Sequence, residues 1–354
     1  MKRYLALVLA LVMACGILTA CGGGSSSSTS TSTAPAASSS SAPAASGDTA
    51  KTVDWPGKST IAVTLPYGAG GDTDTYCRAL FAKVQEKTGG TFVVTNLTGG
   101  SGIVAAQDVR NKPADGKTLL FTHTGASLVQ MATGTVDFSF IDDFEQCCTV
   151  ALDQTYALIV LSPEGEYKQY SRGWTNLEDM LADAKANPGV VRYSAVFGST
   201  TEYVGNRLAK LAGVEFDNID VGTSSGDRLA ALLGGQVDLL AVNYMNVADY
   251  VEKGDVLCLG IMAPERVKGI DFPTLKEQGY DVVNAKKYEI KFPKGTDQKI
   301  VDTLAALCKD IVENDAEFAE TLAKYYAEPL YRDGATTAAE DAAEVEELKA
   351  GLAG

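Results

Sequence analysis

Four glycine- and hydroxyl-rich segments hold the residues best placed to do chemistry. They are Pro66-Tyr67-Gly68-Ala69-Gly70-Gly71-Asp72-Thr73-Asp74, Asn96-Leu97-Thr98-Gly99-Gly100-Ser101-Gly102, Ser194-Ala195-Val196-Phe197-Gly198-Ser199-Thr200-Thr201 and Gly222-Thr223-Ser224-Ser225-Gly226-Asp227. Each follows a short β-branched run and leads into a stretch of helical periodicity. Glycines let backbone N–H groups approach a ligand closely, and a helix start adds positive partial charge, so these loops suit a small anion. The first loop lacks the dinucleotide glycine spacing, and it has no Gly-Lys-Ser/Thr of a P-loop. Taken singly, each can be a glycine turn with an Asp, Ser or Thr cap. Four of them after the carboxyl ends of strands, where open α/β sheets bind ligands, point to a shared site.

Other chemistries are poorly supplied. His123 is the one histidine in 354 residues, so no multi-His metal site can be built and any Ser-His-Asp arrangement must pass through it. It follows a predicted strand near the loops, with Thr124 beside it, and reads either as a neutral hydrogen-bonding group or as a ligand contact. Asp72 and Asp74 could form a catalytic carboxylate pair, but at i, i+2 on a helix start they point apart and fit capping better. Asn243 either lines the cleft or belongs to a hinge. With 30 Lys and Arg against 45 Asp and Glu, a net charge of −15 excludes a duplex-binding face. No metal or cofactor is expected, and nothing calls for more than a monomer.

The elements that position these loops alternate. Ile61, Val63 and Leu65 mark a strand stopped by Pro66, Tyr76, Leu80 and Val84 a helix with one buried stripe, and Thr91 to Asn96 and Thr118 to Thr122 two further strands with a helix from Ile103 to Arg110 between them. The rhythm restarts with strands at Tyr156–Leu161, Val190–Ser194, Ile219–Val221, Val237–Val242 and Val256–Met262, and helices at Leu177–Ala186, Thr200–Leu211 and Asp227–Leu233. This predicts an α/β chain of two lobes, each a mainly parallel sheet flanked by helices, with the ligand cleft between them. The expected divisions are 54–154 for the first lobe, 155–285 for the second, and 286–354 for the return to the first with C-terminal helices, hinging near 150–156 and 286–292. The acidic stretch from Glu340 to Glu347 reads as a solvated helix face.

The first 20 residues read as a secretory signal, with Lys2 and Arg3 before an apolar run and Leu18-Thr19-Ala20 before Cys21. Leu-Thr-Ala-Cys resembles a lipobox, which implies cleavage before Cys21 and a lipid on its thiol. Residues 21–53 are then a tether, nearly all Gly, Ser, Thr, Ala and Pro, which cannot bury enough apolar area to offset chain entropy. The protein is expected to be exported and anchored to the membrane by lipid. Five other cysteines, Cys77, Cys147, Cys148, Cys258 and Cys308, lie beyond the signal in no CxxC spacing and read mainly as small apolar residues.

The order of motifs resembles the substrate-binding receptors of tripartite tricarboxylate transporters, also called Bug receptors. The resemblance rests on Trp55-Pro56, the Pro66–Asp74 loop, Asn96 with its glycine loop to Gly102, Ala114-Asp115-Gly116-Lys117-Thr118-Leu119, Leu232-Leu233-Gly234-Gly235-Gln236-Val237-Asp238 and Phe272-Pro273-Thr274-Leu275-Lys276-Glu277-Gln278-Gly279-Tyr280. It implies a type II periplasmic-binding-protein fold that closes on a small mono-, di- or tricarboxylate and delivers it to membrane permease subunits. Carried onto this chain, the ligand contacts are Tyr67 to Asp74, Ser101, His123, Thr124, Gly198 to Thr201, Gly222, Thr223, Ser224 and Asn243. Glu202-Tyr203 replaces the family's usual His-Leu, and the usual Tyr-Lys-Gly falls near Gly222-Thr223-Ser224, so the pocket is less cationic. A signalling receptor for the same ligand is the alternative. A hydrolase would need a nucleophile elbow and a late histidine, and neither follows His123.

Overall fold

The computed structural model describes residues 54–222 and 224–353. The expected signal, the tether with Cys21, and Thr223 lie outside the described residues. The elements are β1 (Thr60–Leu65), α1 (Asp72–Thr88), β2 (Thr91–Asn96), α2 (Ile103–Arg110), β3 (Thr118–His123), α3 (Thr124–Thr133), β4 (Phe144–Asp153), β5 (Tyr156–Leu161), α4 (Leu177–Ala186), β6 (Val191–Ala195), α5 (Thr200–Ala212), β7 (Phe216–Asp220) and α6 (Ser225–Leu233). After these come β8 (Leu239–Asn243), α7 (Ala248–Glu252), β9 (Val256–Ile261), β10 (Lys286–Pro293), α8 (Gln298–Asn314), α9 (Ala316–Ala323), β11 (Glu328–Asp333) and α10 (Gly334–Ala353).

They form two sheets. The first has the order β11-β4-β10-β3-β1-β2 and the second β7-β6-β8-β5-β9. Strands β1, β2 and β3 run parallel, as do β6, β7 and β8. The remaining strands, β4, β10 and β11 in one sheet and β5 and β9 in the other, pair antiparallel. Each sheet is therefore the expected parallel set of three strands, extended by antiparallel partners into a mixed sheet. The reason is connectivity: β4 runs out of the first sheet almost directly into β5, and β10 brings the chain back beside β4, so successive passes lie in opposite directions.

Both sheets bury apolar side chains on two faces. In the first lobe Tyr76, Leu80, Phe81 and Val84 of α1 pack with Leu304, Ile311, Phe318 and Leu322 of α8 and α9 on one face, while Ala105, Val109 and Phe144 cover the other. Each fully buried Leu or Phe contributes about 1.5–3 kcal/mol. Helix α1 ends where Gly89, at φ 66°, takes the left-handed turn and donates its N–H to Gln85 O. In the second lobe α4 and α5 cover one face and α6 the other.

In both lobes the chain order reverses beside a central strand. From β1 it passes first to β2 on one side and then to β3 on the other; from β6 it passes to β7 and then to β8. Ligand crevices of open α/β sheets form at such switch points, outside the carboxyl ends of the strands. The loops after β1, β3, β6 and β8 lie there.

Candidate functional site

At the first-lobe switch point the Tyr67 ring stacks on His123, with centroids 4.6 Å apart and planes within 5°. The Tyr67 hydroxyl donates to Ser101 O at 3.5 Å, tying together the loops after β1 and β2. The exposed Gly68–Gly70 turn is held from beneath by Asp74. Its carboxylate accepts from Gly70 N–H at 3.0 Å, Asn96 Nδ2 at 2.9 Å and Arg78 Nε at 2.9 Å. Asp74 is thus a loop brace, and the Gly70 N–H that could have faced a ligand is already taken. Buried Thr73 has its hydroxyl 3.5 Å from Asp72 Oδ1.

Asp72 faces inward to a lysine. Lys286 Nζ, at the start of β10, donates to Asp72 Oδ2 at 2.5 Å and to Asn243 Oδ1 at 2.6 Å, and lies 3.8 Å from Asp153 Oδ2. The Tyr288 hydroxyl also donates to Asp72, at 2.6 Å. Asn243 Nδ2 in turn donates to Asp153, whose Oδ1 accepts from both the N–H and the hydroxyl of Thr155. One polar floor therefore runs from the start of α1 in the first lobe, across β10 and β4, to the end of β8 in the second.

Burial sets the charge states. Asp72 is desolvated, yet Lys286 and His123 beside it and hydrogen bonds from Lys286 and Tyr288 hold its carboxyl well below the usual carboxylate range. Burial works against the Lys286 ammonium too, but Asp72 and Asp153 keep it charged. Burial raises Asp153, with Lys286 pulling the other way. Desolvation and then Lys286 push His123 down to about 3, so the imidazole is neutral at pH 7. Its Nδ1 is buried without a partner among the described residues.

In the second lobe Ser199 caps α5: its hydroxyl accepts from Thr201 N–H at 3.2 Å, donates to Val196 O at 2.7 Å and lies 2.7 Å from Thr201 Oγ1. Gly198 N–H donates to Glu202 at 2.7 Å. These groups are satisfied within their own turn. Thr200 Oγ1, by contrast, is buried and unpartnered. Thr200 and Thr124, whose hydroxyl accepts from Lys287 N–H at 3.0 Å, line a cavity of about 640 Å³ together with Tyr203, Arg207, Asn284 and Lys287. It lies between α3 and α10 of one lobe and α5 of the other. Ser224 Oγ accepts from Asp227 N–H at 3.0 Å as the cap of α6, and Gly222 N–H donates to Asp220 at 3.1 Å.

The structure thus gathers Tyr67, Asp72, His123 and Asn243 into one cluster, sets Thr124 and Thr200 on one cavity, and leaves Ser224 exposed at a helix cap. Sequence reasoning missed Lys286, Tyr288 and Asp153. Neither of the first two had a local signal, because the run Lys-Lys-Tyr-Glu-Ile-Lys at 286–291 carries the charge expected of a solvated edge strand. Among the described residues no group of three or more His, Cys, Asp or Glu side chains could hold a metal, the five cysteines are free and buried, and no helix is long and apolar enough to cross a membrane.

Known proteins share this architecture. The chain is 30% identical over 279 residues to the UPF0065 protein of the gbd 5′ region of Cupriavidus necator, covering 77% of this chain and 80% of that one. A Rhodopseudomonas palustris protein solved with adipate superposes with a TM-score of 0.69 at 25% identity, covering 84% and 95%. A second from the same organism, MatC with bound malate, gives 0.74 at 23% identity over 84% and 100%. Residues 77–350 match the family model described as tripartite tricarboxylate transporter family receptor. The chain belongs to that family of solute-binding receptors.

Proposed function

We propose that this protein is an extracytoplasmic receptor that closes its lobes on a small organic acid, leaves it chemically unchanged, and delivers it to a tripartite tricarboxylate-type membrane permease. The observation that carries the reading is the pair of facing switch points joined by a polar floor that spans both lobes through Asp72, Lys286 and Asn243. Such a floor couples ligand capture to lobe closure, because a ligand shifts the equilibrium only by contacting the closed form preferentially. Relatives solved with malate and adipate make carboxylates the first class to test.

The loops carried over from the family, from Tyr67 to Asp74, Ser101, His123 with Thr124, Gly198 to Thr201, Gly222 to Ser224 and Asn243, are proposed to form the contacts. The lipid on Cys21 would hold the receptor at the outer face of the membrane, where it acts as a monomer. Labelling cells with a radioactive fatty acid should mark the wild type and spare Cys21→Ala.

The test of the receptor reading is a thermal-shift screen of mono-, di- and tricarboxylates, followed by small-angle scattering with any acid that binds. A bound acid should lower the radius of gyration. A verified ligand that leaves it unchanged would count against closure, and a screen with no binder would remove the carboxylate reading.

A further inference from the structure

Four cationic side chains are buried among the described residues: Arg228, Lys286, Lys287 and Lys291. Three have carboxylate partners. Lys286 is 2.5 Å from Asp72, Lys287 is 2.8 Å from Asp341 and Lys291 is 2.7 Å from Glu289. Arg228 is only 4% exposed, and no carboxylate of the described residues comes within 4.0 Å of it.

Its guanidinium is also short of hydrogen bonds. Nη1 donates to Ala241 O at 2.7 Å, Nη2 reaches Ser225 Oγ at a long 3.4 Å, and Nε is buried with no partner. Arg228 stands in the first turn of α6, where the helix dipole disfavours a cation. A buried charge that is unpaired and opposed by a dipole is costly unless a partner anion meets it.

Strands β6 and β8 pair only as far as Ser194 and Leu240, so they part at Ala241, the residue whose carbonyl Arg228 holds. This parting is the second-lobe switch point, two residues before Asn243 on the polar floor. Ser194 Oγ, on the neighbouring strand, is likewise buried without a partner. The charge of Lys286 across the cleft is already met by Asp72 and Asp153, which leaves Arg228 as the buried cation still lacking its anion.

We propose that Arg228 is the counter-charge for the ligand's carboxylate, supplied from the second lobe. The proposal rests on the receptor reading and assigns specificity within it: an acid binds, and its uncharged amide does not. A guanidinium suits this because its planar fork takes a carboxylate by two parallel hydrogen bonds.

The experiment is calorimetric titration of malate, adipate and adipamide into the wild type, Arg228→Met and Arg228→Gln, with thermal melts of the unliganded proteins. The wild type should bind at least one acid and not the diamide. Both variants should lose about thirtyfold or more in affinity for that acid, since one member of a buried charge pair is removed. Their unliganded melting temperatures should hold or rise, which separates a ligand-binding arginine from a structural one. Arg228→Gln keeps a donor for Ala241 O and serves where Arg228→Met does not fold. Affinity within about threefold of wild type in either folded variant would overturn the proposal. Failure of both variants to fold would assign Arg228 to the scaffold and overturn it too. A wild type that binds neither acid would instead defeat the receptor reading for these acids, and the inference with it.

Discussion

Replacing Lys286 with Met would leave the polar floor without its cation. The lysine side chain is 5% exposed, and its ammonium is the charge that balances Asp72 at 2.5 Å and Asp153 at 3.8 Å. Met fills similar volume, so little cavity forms and the cost is mainly that of stranded carboxylates, about 3–5 kcal/mol at pH 7. The effect of pH has a definite sign. In the wild type Asp72 is held below its unfolded value, so its contribution is present above about pH 4 and is lost as pH falls through the folded value. Without Lys286 burial dominates, both carboxyls rise above their unfolded values, and the penalty is largest at neutral pH and shrinks as they take up protons. Urea unfolding of both proteins at pH 7 and pH 5 should show a deficit that narrows at the lower pH. A deficit under about 1 kcal/mol at pH 7, or one unchanged at pH 5, would refute the reasoning.

Gly205→Ala should lower stability by about 1–3 kcal/mol, because its Cβ would lie 2.3 Å from Cε1 of the fully buried Tyr193 ring, whose hydroxyl holds Thr201 O at the start of α5; a melt matching wild type would count against this packing. Asp74→Ala removes three hydrogen bonds beneath the Gly68–Gly70 turn and should cost about 1–3 kcal/mol. It should also weaken carboxylate binding about tenfold, so unaltered melting and titration curves would detach that turn from the site. Asp341→Ala strips the closest carboxylate from buried Lys287 and leaves Lys291 with Glu289 alone, so unfolding in urea should reveal a loss of about 3–5 kcal/mol. A change near zero would mean that α10 is not held by this network.

The parts legible in the sequence were those with clear period. The helices at 103–110 and 177–186 and the strand at 156–161 stand where periodicity put them, because each shows one apolar stripe or an unbroken apolar run between polar ends. Helix α3 escaped because it is buried almost all round, leaving no polar face to set a period. Strand β10 was expected only as a hinge segment near 286–292, since three lysines and a glutamate read as surface. In the structure all four are buried, with Lys287 and Lys291 meeting Asp341 of α10. The same contact corrects the reading of 340–347 as a solvated face: Asp341 is fully buried and Glu344 lies 3.3 Å from Lys287. Charge pairing across about 50 residues of chain has no local signature. At the site, the glycine loops were visible as anion-suited turns, but Asp74's capture of the Gly70 N–H and the joining of Asp72 to Asn243 through Lys286 depend on tertiary contacts alone.

The most direct measurement of the central claim is a crystal structure of the protein grown with an acid that calorimetry has shown to bind. The expected density lies between the lobes, bounded by the loops after β1, β3, β6 and β8, with a carboxylate within hydrogen-bonding reach of second-lobe donors. Density for that acid only on an outer surface, with the interlobe crevice closed and unoccupied, would contradict it.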